Sequence, residues 1–329
     1  MKAIVYQQYG SPDVLELREV QKPSPKEDEV LVKVHAASAN PLDWHRMRGT
    51  PYFARMMFGL LKPKDQRLGA DVAGRVEAVG RNIEKLKPGD GVFGIARGSA
   101  GAFAEYVCAT ENGLALKPAN SSFEQVASVY VAALTALQGL RDTGKIRSGQ
   151  KVLVNGASGG VGTFAVQIAK SFGAEVTGVC STRNLEMVRS IGADYVIDYT
   201  QEDFTMNGQQ YDLIFDTVAN HSVSEYKRAL SPTGLCSIAG FSTLFHMFHI
   251  MIMGSLVSKT GSKKIVGMGV AKPNRKDLAI IKGLLESGKV VPVIDRRYPL
   301  REVPEALRYL ETGRARGKVV ITVEHHEGV

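Results

Sequence analysis

Short alternating segments dominate the first third of the chain. Glu29-Val30-Leu31-Val32-Lys33-Val34-His35 alternates as a half-buried strand does, and Met1–Tyr6, Asp71–Gly80 and Phe103–Val107 read as further strands. Lys87-Pro88-Gly89-Asp90 is a turn running into a strand that ends at Gly94. Short strands with Gly and Pro punctuation predict a β-barrel-like domain. Near Ser121 the texture changes. Ser121-Ser122-Phe123-Glu124 has capping-box spacing, and a helical region follows from Ala127 to Leu140.

Apolar runs then alternate with helical spacing. The strand candidates are Val152–Asn155, Glu175–Cys180, Tyr195–Asp198, Leu213–Asp216, Leu235–Ala239 and Lys264–Met268. That rhythm is what a doubly wound parallel sheet requires. After Ala271 come a helix from Arg275 to Ser287, an apolar run from Val290 to Ile294, a helix from Val303 to Thr312 and a last strand, Lys318–Val323. These elements break the rhythm and are assigned back to the first domain. The expected organisation is therefore a β-rich domain over residues 1–120, an inserted nucleotide-binding domain over 121–270, and a return to the first domain over 271–329.

The sharpest chemical signal lies where the first apolar run of that insertion meets its helix, at Asn155-Gly156-Ala157-Ser158-Gly159-Gly160-Val161-Gly162. Ala157-x-Gly159-x-x-Gly162 is a variant of the dinucleotide fingerprint. The first small residue makes the tight turn, Gly159 admits a pyrophosphate, and Gly162 lets helix and strand pack closely. Free N–H groups and the positive end of the helix dipole then hold the phosphates. The second strand ends in Ser181-Thr182-Arg183 with no acid in it. NAD sites place an acid there for the ribose 2′-OH. Two hydroxyls and a guanidinium suit a 2′-phosphate instead, so NADPH is the expected cofactor.

Composition narrows the class. Hydrophobic residues make up 44% and charged residues 22% of 329, the balance of a soluble globular protein. The net charge is +8, but the basic residues are dispersed, so nucleic acid is not an expected partner. Cys108, Cys180 and Cys236 are widely spaced and form no disulfide framework, which suits the cytoplasm. Neither a targeting peptide nor a transmembrane segment is read.

The ordered set of motifs resembles the medium-chain dehydrogenase/reductase superfamily, in particular its zinc-free quinone oxidoreductase-like branch. The resemblance rests on Ser38–Asp43, Leu68–Gly74, Lys87–Asp90, Gly156–Gly162 and Gly313–Val320. It implies an α/β architecture in which a GroES-like β-rich catalytic domain carries an inserted doubly wound Rossmann domain. Zinc-dependent relatives place a Cys where Asn40 stands and a His-Glu pair where Ala70-Asp71 stand, so no metal is expected. Asn40 and Asp43 are implied to lie near the nicotinamide, with Thr135 beside it. Asp216, Thr217 and Val218, and Ala239, Gly240 and Phe241, end two sheet strands where ligands gather. Gly317 and Lys318 are implied to close the cofactor cleft. Tyr52 either donates a hydrogen bond to substrate oxygen or packs the cleft rim.

The implied function is NADPH-dependent hydride transfer to quinones or other conjugated carbonyls, with Asn40 and Tyr52 as catalytic candidates. An enoyl or 2-alkenal reductase is the second reading. A third is a non-catalytic regulatory or RNA-binding protein on the same fold. A small lipophilic substrate and a homodimer are expected. The apolar stretch from Leu244 to Leu256 is too short to span a bilayer. It is read as a pocket wall, a dimer contact or a peripheral membrane contact.

Overall fold

The computed structural model describes residues 1–241, 250–254, 258 and 261–325. In chain order, the first elements are β1 (Lys2–Val5), β2 (Glu16–Glu19), β3 (Glu29–Ala39), α1 (Pro41–Arg48), α2 (Arg55–Phe58), β4 (Asp71–Val79), β5 (Gly91–Ile95), β6 (Tyr106–Thr110) and β7 (Leu114–Leu116). Then come α3 (Phe123–Ala127), α4 (Tyr130–Gln138), β8 (Lys151–Asn155), α5 (Gly160–Ser171), β9 (Glu175–Cys180), α6 (Leu185–Ser190), β10 (Tyr195–Asp198), β11 (Tyr211–Asp216), α7 (Val223–Ala229), β12 (Leu230–Ile238) and β13 (Lys264–Gly267). The chain closes with α8 (Arg275–Glu286), β14 (Ile294–Pro299), α9 (Val303–Glu311) and β15 (Lys318–Thr322).

Two compact units result. One comprises Met1–Val131, Pro273–Ser287 and Pro292–Val329; the other comprises Ala132–Lys272 and Gly288–Val291. The first unit thus extends past residue 120, where the sequence pattern put the change. The reason is α3, which caps itself and packs on β3, β4 and β5 of the first unit. Its capping box is Ser122 with Gln125, one residue later than Ser121 with Glu124. Ser128 and Val129 then separate it from α4, so the helical region expected from Ala127 to Leu140 begins at Tyr130.

The first unit is a β-rich body. Its main sheet runs β14-β15-β3-β4-β5-β7, with β6 also pairing β3, and only β14 and β15 pair in parallel. β3 is buried along nearly its whole length, with only Lys33 and His35 partly exposed, because β4, β6 and β15 share its edges. Phe103 and Ala104 lie outside β6, which starts at Tyr106; Ala104 bridges to Ala3 instead. Val32, Val34, Met47, Leu68, Val72, Phe103, Leu307 and Ile321 belong to one continuous core.

The second unit is a six-stranded sheet, order β10-β9-β8-β11-β12-β13, with every pairing parallel. Strand order reverses between β8 and β11, the switch point at which open α/β sheets take their ligands. β8 and β11 are buried apolar runs, as strands covered on both faces must be. α5 covers the sheet with Phe164, Ala165, Val166, Ile168 and Ala169, all buried. Of the apolar stretch 244–256, residues 244–249 and 255–256 lie outside the described residues. Ile250–Gly254 form one wide helical turn with Ile250 in the core and Ile252 exposed. No helix among the described residues is long and apolar enough to cross a membrane.

Candidate active site

At the switch point, register places Asn155, the last residue of β8, opposite Asp216, the last of β11. Gly156 follows with φ +80°, and a Cβ there would stand 2.4 Å from Thr217 Oγ1. Gly156, not Ala157, is therefore the turn glycine. Ala157 is buried and donates its N–H to Val179 O at 3.0 Å. A Cβ on Gly162 would lie 2.0 Å from Gly156 O, so α5 meets β8 at a distance only glycine allows. Gly159 differs from both. It caps α5 in extended conformation, and a Cβ there would find nothing closer than Gly156 O at 3.5 Å. The space in front of Gly159 is open, and the helix begins at Gly160 with its first N–H groups unsatisfied by any cap side chain. The Gly159 N–H is taken by Gly156 O at 3.0 Å, so Ser158, Gly160 and Val161 around the open face of Gly159 make a cradle at a helix N-terminus that fits a dinucleotide pyrophosphate.

Asp216 does not face a ligand. Its Oδ1 accepts the N–H groups of Val218 and Ala219, both at 2.7 Å. Its Oδ2 accepts Asn155 Nδ2 at 2.9 Å and the Tyr226 hydroxyl at 2.7 Å. A buried carboxylate so saturated shapes the Thr217–Val218 loop rather than binding cofactor directly. Thr217 donates to Asn155 O at 2.9 Å, and Ala239 N–H bonds Asp216 O at 2.8 Å. Gly240 lies so close that a Cβ would meet Thr217 O at 2.5 Å. Phe241 is partly exposed beyond it. Thr135, on α4 of the same unit, is half-buried.

The end of β9 carries a correction. Asp198 closes β10 and pairs in register with Cys180, so an acid does stand beside the acid-free strand end. Thr182 Oγ1 donates to Asp198, whose carboxyl is held below the usual range by that bond and by Thr200. The Thr182 hydroxyl is therefore committed to Asp198 rather than turned to a phosphate. Ser181 remains half-exposed and Arg183 exposed. Asn184, outside the expected site residues, links the two halves of the site. Its Nδ2 donates to Ser158 Oγ at 3.0 Å and to Ser181 Oγ at 3.2 Å, and its Oδ1 is buried without a hydrogen-bond partner among the described residues. An Asn at the N-cap of α6, three residues after Ser181, was the available signal.

In the first unit, Asn40, Asp43, Asp71 and Lys318 form a buried polar network. Asn40 caps α1, with its N–H donating to Asp43 Oδ2 at 2.8 Å. Asp43 Oδ1 accepts Gly69 N–H at 3.0 Å, and burial pushes the Asp43 carboxyl up to about 7. Asp71 Oδ2 accepts Ser38 Oγ at 2.6 Å and Asn40 Nδ2 at 3.0 Å, while Oδ1 accepts Val131 N–H at 2.9 Å. Asn40 Nδ2 also donates to Ser38 O at 3.2 Å, which uses its second hydrogen. The Lys318 ammonium donates to Asn40 Oδ1 at 2.6 Å and lies 3.4 Å from Asp71 Oδ2. Asn40 is thus fully engaged and has no donor left for a substrate oxygen. Lys318 is an interior cation rather than a rim residue. Gly317, at φ +92°, lets β15 start close against Val293 O, where a Cβ would stand 2.3 Å away.

The positions that zinc ligands occupy in metal-dependent relatives therefore hold an amide, an alanine and a carboxylate already paired with an ammonium. His45 is used by Thr50 O at 2.9 Å and stacks on Trp44. Among the described residues, no group of three His, Cys, Asp or Glu side chains is arranged to hold a metal. Tyr52 stands apart from this network. It is 73% exposed, with its ring 4.8 Å from the Arg55 guanidinium.

Comparison with known proteins agrees with this fold. Residues 26–119 match the family described as alcohol dehydrogenase GroES-like domain, and residues 191–321 the family described as zinc-binding dehydrogenase. The chain is 39% identical to the 2-methylene-furan-3-one reductase of Solanum lycopersicum and 38% identical to the NADPH-dependent alkenal/one oxidoreductase of Arabidopsis thaliana, a chloroplastic protein. Each match covers 98% of this chain and 79% of the relative. The solved quinone oxidoreductase of Coxiella burnetii superposes with a TM-score of 0.86 at 32% identity, over 98% of this chain and 99% of that one. The chain belongs to the medium-chain dehydrogenase/reductase superfamily, in its quinone oxidoreductase-like group.

Proposed function

We propose that the protein is an NADPH-dependent, zinc-independent oxidoreductase that delivers hydride to quinones or other conjugated carbonyls. The observation that carries this is the pairing of an open glycine cradle at the switch point with a metal position filled by Lys318, Asn40 and Asp71. The names of the similar proteins, an alkenal/one oxidoreductase and a quinone oxidoreductase among them, support the same acceptor class. Reduction of an enoyl or 2-alkenal substrate is the same chemistry on a different acceptor.

The residues have separable tasks. N–H groups of Ser158, Gly160 and Val161 hold the pyrophosphate over the open face of Gly159, with Gly156 and Gly162 fixing the turn. Ser181 and Arg183 bond the 2′-phosphate. Thr135, Thr217, Val218, Ala239, Gly240 and Phe241 line the path toward the nicotinamide. NADPH, when bound, supplies the hydride. A conjugated acceptor spreads the arriving charge onto its oxygen, so one hydrogen bond suffices where a saturated ketone needs a Lewis acid or a positioned general acid. The exposed Tyr52 hydroxyl donates that bond, and Asn40 positions α1 through Asp43. The acceptor is small and lipophilic, the working form is a homodimer, and the three unpaired cysteines suit a cytoplasmic protein.

Two measurements test the reading. NADPH oxidation against a panel of quinones, 2-alkenals and saturated ketones tests the acceptor; turnover confined to saturated ketones contradicts it. Titration with NADPH and NADH tests the phosphate site. Arg183→Ala is expected to weaken NADPH by about 1–3 kcal/mol and leave NADH unchanged. Equal loss for both cofactors contradicts the assignment.

A further inference from the structure

Five large apolar side chains project from one short stretch of the first unit. Phe53, Met56, Met57, Leu60 and Leu61 are between 53% and 89% exposed. Single exposed apolar residues are ordinary, but a cluster of this density within nine residues marks a surface that docks on something. The stretch is held in shape by its own base. The Arg55 guanidinium lies 4.5 Å from the Tyr9 ring and donates to Gly49 O at 2.9 Å. The Tyr9 hydroxyl donates to Gly59 O at 2.6 Å, and Lys64 N–H bonds Phe58 O at 2.8 Å. Gly59, at φ +122°, folds the chain back so tightly that a Cβ would stand 2.0 Å from Lys62 O. Phe58 lies against the Arg46 guanidinium, 4.9 Å from its ring. The fold therefore fixes the loop while leaving its other large apolar side chains outside. Met56, Leu60 and Leu61, 70–89% exposed, project into solvent, while Met57 also lines a small surface cleft with Arg46, Phe58 and Lys64.

Charge selects the occupant. From Arg46 to Arg67 the chain carries six basic residues and one acid, Asp65. Asp65 is paired with Arg67 at 3.2 Å. Lys62 and Lys64, exposed directly beside Leu60 and Leu61, have no acidic partner among the described residues. Projecting apolar tips flanked by unpaired ammonium groups match an anionic bilayer. The tips enter the acyl boundary while the ammonium groups meet lipid phosphates. We propose that residues 53–64 form a peripheral docking element for an anionic lipid surface. This element does not depend on the cofactor or acceptor assigned above.

Co-sedimentation of the full-length protein with vesicles tests it, comparing pure phosphatidylcholine with phosphatidylcholine containing phosphatidylglycerol. At low salt the anionic vesicles are expected to bind about tenfold more protein or better. Met56→Ser/Met57→Ser/Leu60→Ser/Leu61→Ser and Lys62→Glu/Lys64→Glu should each abolish that binding with an unchanged thermal melt, because all six side chains are exposed. If the serine variant melts lower, Leu61→Glu at the most exposed position makes the same comparison. Absence of vesicle binding, or binding retained in both variants, overturns the proposal. So does a fall from dimer to monomer by light scattering in the serine variant without vesicle binding, which assigns the patch to a second copy. A raised KM for a lipophilic acceptor without vesicle binding overturns it as well, assigning the loop to the substrate path.

Discussion

The Lys318 ammonium lies 2.6 Å from Asn40 Oδ1, although 278 residues separate the two in the chain. Lys318 is 3% exposed and Asn40 2%. With Asp71 they make a buried, hydrogen-bonded ion pair at the position where metal-dependent relatives carry ligands. Its stability rests on mutual satisfaction: each Asp71 oxygen and both Asn40 amide hydrogens have partners.

Removing the cation leaves the Asp71 carboxylate buried without its counter-charge. Lys318→Met is expected to destabilise the first unit by about 3–5 kcal/mol. Adding Asp71→Asn to that variant should recover part of the loss, because the orphaned charge is gone. Urea unfolding of both variants checks this. A single-variant cost under about 1 kcal/mol would show that the pair contributes little.

Asp43 gives the network a pH signature. Burial raises its carboxyl from 3.8 to about 7. The folded chain then binds this proton more tightly than the unfolded chain. Stability contributed at Asp43 is present at low pH and is lost as pH rises from about 4 to about 7. Asp43→Asn removes the titration and leaves one of the two N–H groups, of Asn40 or Gly69, without its acceptor. The stability advantage of the wild type over the variant should therefore shrink across that range. Urea unfolding at several pH values measures it, and an advantage that grows with pH is the contrary result.

The glycine turn separates packing from binding. Gly162→Ala puts a methyl 2.0 Å from Gly156 O, so it should lower both stability and cofactor affinity. Gly159→Ala meets open space, so its stability cost should stay under about 1 kcal/mol, that of a weaker N-cap. NADPH affinity should nevertheless fall at least about tenfold, because the methyl occupies the room left for the pyrophosphate. Thermal melting with and without NADPH reads both effects. A Gly159→Ala protein that binds NADPH normally would place the phosphates elsewhere.

What the sequence disclosed and what it hid follow one physical line. The central strands β8, β9 and β11 are mostly buried segments of five or six residues, and that pattern is legible without any tertiary knowledge. The glycine turn was legible because its constraints are local, although the positive φ falls on Gly156 rather than Ala157. Contacts made by strand pairing were not legible. Thr182 meets Asp198 only because β9 and β10 run side by side, so the apparent absence of an acid was an absence along the chain, not in space. Nothing in Gly317-Lys318-Val319 shows that β15 pairs with β3 and carries Lys318 to Asn40. Ser121 with Glu124 has the same spacing as the capping box that forms, Ser122 with Gln125, so spacing alone does not choose between them.

The central claim is that charge arriving at the acceptor is spread by conjugation rather than held by a metal. The most direct test is kcat/KM with NADPH for a 2-alkenone and for the saturated ketone of the same length, in enzyme treated with a chelator. The conjugated acceptor should win by about a hundredfold or more, with no loss on chelation. A saturated ketone that matches it, or turnover that vanishes with the chelator and returns with zinc, would contradict the account.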